Sequence, residues 1–105
     1  MMNRLSFTLK IKDLKATSIG KDSYNYFLRA EYAKGGFKDT PCKNLLTEEP
    51  IFIFEHANRL VAVEFWNQAK KKRVGTFKLK NFDSNKDFEH DFKKANITIQ
   101  IKKVN

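Results

Sequence analysis

Apolar and polar residues alternate along most of the chain, the pattern of strands that bury one face and leave the other in water. In residues 5–12, Leu5, Phe7, Leu9 and Ile11 form one row and Ser6, Thr8, Lys10 and Lys12 the other, which predicts a half-buried strand. Residues 15–23 collect Thr17, Ser18, Gly20, Asp22 and Ser23, a loop composition. A second strand is predicted over 24–32, with its apolar row at the even positions. Gly35 and Gly36 turn the chain into a short edge or hairpin strand over 37–40. Residues 41–50 read as a loop from which Leu45 and Leu46 tuck back onto the core. Ile51, Phe52, Ile53 and Phe54 are apolar on both faces, which predicts a central strand packed between layers. Asn58 and Arg59 turn it into a strand over 60–66, in which Val61, Val63 and Phe65 share a face. Residues 67–73 form a lysine-laden tip, and residues 74–80 alternate again to complete a hairpin.

The period changes over residues 83–94. Phe88 and Phe92 are four apart, Asp83 suits an N-cap with Asp87 near the first turn, and Lys93 and Lys94 suit a C-terminal end, so a short helix or turn is predicted. Ile97, Ile99 and Ile101 then mark a last alternating strand. Some seven or eight short strands with one helical insert near 83–94 predict an all-β fold, an antiparallel sandwich. No repeat, low-complexity tract or linker divides residues 1–105, which read as a single domain, whole or excised from a longer protein.

Composition narrows the function. The 105 residues carry 21 Lys plus Arg against 12 Asp plus Glu, a formal charge of +9, with 41% apolar residues. That apolar share is too high for a disordered polybasic tail, and a domain of this size builds a core without disulfides or metal. The lone Cys42 excludes an internal disulfide framework and a cysteine-rich zinc site. No run approaches the ~20 apolar residues of a membrane span, and the N-terminus has no signal-peptide core, so a cytoplasmic location is expected, with peripheral sites at membranes or cytoskeletal structures in scope. His56 and His90 are far apart, Cys42 lacks a neighbouring base, and no phosphate cradle or metal-ligand spacing occurs; neither catalysis nor a cofactor is expected.

The run Lys70, Lys71, Lys72 and Arg73 is the local feature that stands out. Four adjacent cations repel one another, whereas near an anionic bilayer each is worth roughly 1 kcal/mol. The competing reading is a solvated turn whose lysines prevent edge association. Trp66, beside this run, either packs under a neighbouring strand or stands at the rim as an interfacial anchor. Nucleic-acid binding needs exposed aromatics on a basic platform, while the aromatics here alternate inward, so it is set aside. No small-molecule substrate is expected, and the domain reads as a monomer.

The ordered series of elements resembles a C2 domain, a sandwich used by signalling and trafficking proteins to reach membranes. Asp22-Ser23-Tyr24-Asn25-Tyr26-Phe27 stands where that family opens a strand with Asp-Pro-Tyr, although the Pro is missing. Lys38-Asp39-Thr40, Pro50-Ile51-Phe52-Ile53-Phe54-Glu55, Val61-Ala62-Val63-Glu64-Phe65-Trp66-Asn67 and Val74-Gly75-Thr76-Phe77 follow in the family's order. Beginning and ending on an alternating strand is similar to the phospholipase-type topology, so the resemblance implies an eight-stranded antiparallel β-sandwich. Calcium-dependent members place several aspartates on two loops at one end, because the ion wants six to eight oxygens. Here Asn67 replaces the Asp that ends the strand, the next position falls near Ala69, and lysines follow; Asp22, with Asp13, is the acidic remnant on the first loop. The resemblance therefore implies a degenerate, calcium-independent member without bound metal. Its expected partners are phosphoinositide or phosphatidylserine membranes met through residues 70–73. The alternative is a protein partner met through a sandwich face, as in ciliary, centriolar or trafficking adaptors.

Overall fold

The alternating segments pair into two antiparallel sheets in the computed structural model, which describes residues 4–11, 24–56, 59–79, 89–94 and 97–104. The strands are β1 (Arg4–Ile11), β2 (Asn25–Tyr32), β3 (Phe37–Asp39), β4 (Lys43–Asn44), β5 (Ile51–Glu55), β6 (Leu60–Asn67), β7 (Lys72–Lys78), β8 (Glu89–Lys94) and β9 (Ile97–Val104). One sheet has the order β5-β1-β9-β8; the other runs β3-β2-β6-β7, with the two-residue β4 also paired to β2. No α-helix occurs among the described residues.

One core joins the sheets. Leu5, Phe7 and Leu9 of β1, Phe52 and Phe54 of β5, and Ile97, Ile99 and Ile101 of β9 meet Tyr26, Leu28 and Ala30 of β2 and Val63 and Phe65 of β6. The result is a β-sandwich-like packing of two inner faces. Phe7, 0% exposed, lies at its centre. Its ring meets Phe54 of its own sheet edge-on at 5.6 Å, and Phe65 and Phe77 of the opposite sheet at 6.0 and 6.5 Å. Such edge-on pairs add about 0.5–1.5 kcal/mol each beyond area burial.

β5 differs from the central strand expected of it: it pairs with β1 alone, at the edge of its sheet. Phe52 and Phe54 point into the core, while Ile53 is 49% exposed. The helical insert expected near 83–94 is not found over Glu89–Lys94, which forms β8 against β9, while 83–88 lie outside the described residues. Four is a multiple of two, so a Phe88/Phe92 spacing fits one face of a strand as well as one face of a helix. Val61 leaves the apolar row as well. Glu31 pairs with Ala62 but Tyr32 with Leu60, so Val61 is the extra residue of a bulge and stands 38% exposed, while Leu60 takes the inward place. β3 is the expected edge strand, reached through a turn in which Gly35 and Gly36 have φ of +82° and +92°. Of the two leucines expected to tuck back from residues 41–50, Leu45 packs against the core, while Leu46 is half-buried outside that cluster and Lys43–Asn44 pair as β4.

β1 and β9 pair along their whole lengths, so the first and last strands are neighbours. Arg4 lies opposite both Glu55 and Val104, and the Tyr32 hydroxyl of the other sheet donates to the Glu55 carbonyl at 3.1 Å. These residues mark one pole of a body measuring 44 × 26 × 21 Å. Asn25, Asn44, Asn67 and Lys72 mark the other.

Candidate functional site

The basic run sits where β6 turns into β7. Asn67 pairs with Lys72, leaving Gln68, Ala69, Lys70 and Lys71 as the loop. The Asn67 side chain, in a residue 3% exposed, accepts the Lys70 N–H at 3.0 Å. The Lys71 N–H donates to the Gln68 carbonyl at 3.3 Å, and the Gln68 N–H reaches the Asn25 carbonyl at 2.8 Å. Lys71 closes the loop at φ 49°, in the left-handed region. Asn67 thus holds the turn at the end of β6. Asp22 and Asp13 lie outside the described residues.

Lys70, Lys71 and Lys72 are exposed, and none of them meets an acidic partner at ion-pair distance among the described residues. Arg73 is different: it stands opposite Trp66, and its Nη1 lies 2.9 Å from Glu64 Oε2. The run therefore divides into three lysines at the pole, without an acidic partner among the described residues, and one arginine tied to a sheet face.

Trp66 is half-buried on the outer face of the second sheet. Its ring stacks on Phe27 with centroids 6.0 Å apart and planes 12° from parallel, and its Nε1 donates to Glu64 Oε1 at 3.3 Å. The Arg29 guanidinium lies 5.0 Å from the Trp66 ring and 5.7 Å from Phe27. Arg29 also makes a forked contact with Asp39, at 2.8 and 3.1 Å, and this hydrogen bonding pushes its pKa further up. Together Arg29, Phe37, Asp39, Glu64 and Trp66 line an open cleft of about 410 Å³.

Phe27, at an odd position of β2, and Trp66, on the face of β6 opposite Phe65, turn outward as the strand period requires, and Phe37 is 65% exposed, so the aromatics do not all alternate inward. On this face Asp39 and Glu64 offset Arg29 and Arg73. The sequence gives no sign of this cluster, since its members come from β2, β3, β6 and β7 and meet through strand register alone.

His56 is an exposed corner residue at φ 52°, and His90 lies in β8 opposite Ile101. The exposed Cys42 has its thiol pKa pushed up, by partial burial first and the Glu48 carboxylate second. Among the described residues no group of His, Cys, Asp and Glu is arranged to hold a metal, and no helix is long and apolar enough to cross a membrane. No family model, curated protein or solved structure matches the chain.

Proposed function

We propose that the chain is a calcium-independent C2-like module that docks to anionic membrane surfaces with the β6–β7 turn foremost. The observation that carries this reading is the set of three exposed lysines, without acidic partners among the described residues, on a turn that Asn67 holds in place. The sandwich reading draws support from two antiparallel sheets and the pairing of first and last strands. β1 ends and β2 begins at the pole that carries the lysines.

At roughly 1 kcal/mol per cation near the surface, the tip supplies about 3–4 kcal/mol. That corresponds to weak, reversible docking near millimolar. Co-sedimentation with phosphatidylcholine vesicles, with and without phosphatidylserine, tests it. The parent is expected to bind only the anionic vesicles, to ignore calcium, and to release with added salt, because screening shortens the reach of the charges. Changing Lys70, Lys71 and Lys72 to Ser is expected to abolish binding, whereas Arg73→Ser alone has little effect, since Glu64 already engages that guanidinium. Vesicle binding indifferent to salt and to the lysines would sink the proposal.

A second reading has its own observation. Phe37, 65% exposed beside the cleft of Arg29, Asp39, Glu64 and Trp66, offers an apolar contact to a protein partner on a sandwich face. Failure to bind any vesicle would make that scaffold role the leading one.

A further inference from the structure

Positive charge also gathers at the pole opposite the lysine turn, around a groove of about 540 Å³ between the β2–β3 and β5–β6 turns. Lys34 comes from the first turn, Lys38 from β3, and His56 and Arg59 from the second, while Glu55 is the one carboxylate lining it among the described residues. The half-buried Tyr32 also lines it.

The backbone fixes these segments against one another. Gly35 and Gly36, at φ of +82° and +92°, permit the tight first turn, which the Gly35 N–H closes by donating to the Tyr32 carbonyl at 2.9 Å. The Arg59 N–H donates to the His56 carbonyl at 2.9 Å, and the Arg59 carbonyl accepts the Ala33 N–H at 2.9 Å, joining the two turns. The Tyr32 hydroxyl is committed to the Glu55 carbonyl. Burial and then the Glu55 carboxylate push that phenol up, so it remains a donor.

Lys34, Lys38 and Arg59 make no ion pair among the described residues, so three cations carried on backbone segments tied to one another face a single carboxylate across the groove. Its volume lies in the range of about 300–1,000 Å³ typical of small-molecule sites. A phosphoryl group suits this arrangement better than a carboxylate: it carries more charge and enough oxygens to engage the guanidinium fork and two ammonium groups at once. We propose that the groove lined by Lys34, Lys38 and Arg59 binds a small soluble molecule bearing phosphoryl groups. The site is separate from the lysine turn and does not depend on membrane docking.

The test is a titration of the isotopically labelled full chain with pyrophosphate, followed by amide NMR. Saturating shifts are expected in residues 32–38 and around His56 and Arg59. Lys38→Gln and Arg59→Gln should each weaken binding by roughly tenfold, the loss of one charge-assisted contact. The variant with Ser at 70, 71 and 72 should bind pyrophosphate as the parent does. A parallel arm uses phosphatidylcholine vesicles doped with phosphatidic acid, to separate a lipid-borne phosphate from a soluble one. Shifts that never saturate and follow every lysine, groove variants that bind unchanged, or a groove that responds to the vesicles alone would each overturn the assignment.

Discussion

Replacing Phe7 with Ala removes a fully buried ring that touches Phe54 in its own sheet and Phe65 and Phe77 in the other, so both sheets lose packing at once. The expected cost is about 3–5 kcal/mol, a large part of the roughly 5–15 kcal/mol available to a domain. Urea unfolding should show it as a collapse of the midpoint, while Phe7→Leu keeps most of the stability; an unmoved midpoint for the Ala variant would refute the bridging role. Cys42 makes a prediction of the opposite kind. A raised thiol pKa means less thiolate at any given pH, so alkylation near neutrality should run slower than for free cysteine and gain speed at higher pH. Glu48→Gln should quicken it, and kinetics matching free cysteine would contradict the assigned environment. Single residues also show what a sequence hides. That Asn67 closes the alternating strand ahead of the lysines is legible from order alone, but the turn-holding contact of its oxygen with the Lys70 N–H is a matter of geometry.

Among the elements, β5 is the instructive case. The Pro50 carbonyl accepts the Leu9 N–H at 3.0 Å, so Ile51, Ile53 and Glu55 turn their backbone groups away from β1. Two of those carbonyls are covered from the other sheet: Lys43 Nζ donates to Ile51 at 2.7 Å, and Tyr32 donates to Glu55 at 3.1 Å. Ile53, 49% exposed, sits between them. Such covering protects an edge from pairing with another chain. The double variant Tyr32→Phe, Lys43→Met should therefore self-associate in sedimentation velocity, and adding Ile53→Lys should restore the monomer; a double variant that stays monomeric would show the covers to be incidental. Apolar residues on both faces mark β5 as a strand, but whether it is central or edge depends on β9 claiming the far side of β1, some ninety residues on. β1, β2 and β9 were legible because alternation survives along them, whereas β7 slips its phase at Val74, the extra residue in its pairing with β6. β6 was legible only in part, because the bulge at Val61 slips its phase, and β8 was missed because a spacing of four serves either period.

At the scale of the molecule, β9 lies between β1 and β8 and pairs with both. A chain ending before Ile97 leaves each of them without its longest partner and strips three buried isoleucines from the core. It is expected to show no cooperative thermal unfolding by circular dichroism; a sharp transition would mean that the second sheet is stable alone. The two charged sites also differ in how far they can be read in advance. The lysine turn is contiguous in sequence, whereas the groove draws Lys34, Lys38 and Arg59 from separate segments that only the fold brings together. The pairing of Arg4 with both Glu55 and Val104 has a practical consequence, since it puts the start of β1 and the end of β9 beside Glu55, which lines the groove. A bulky label attached at Arg4 or Val104 would leave the lysine turn clear and crowd the opposite pole, so the point of attachment decides which pole of the molecule an assay can interrogate.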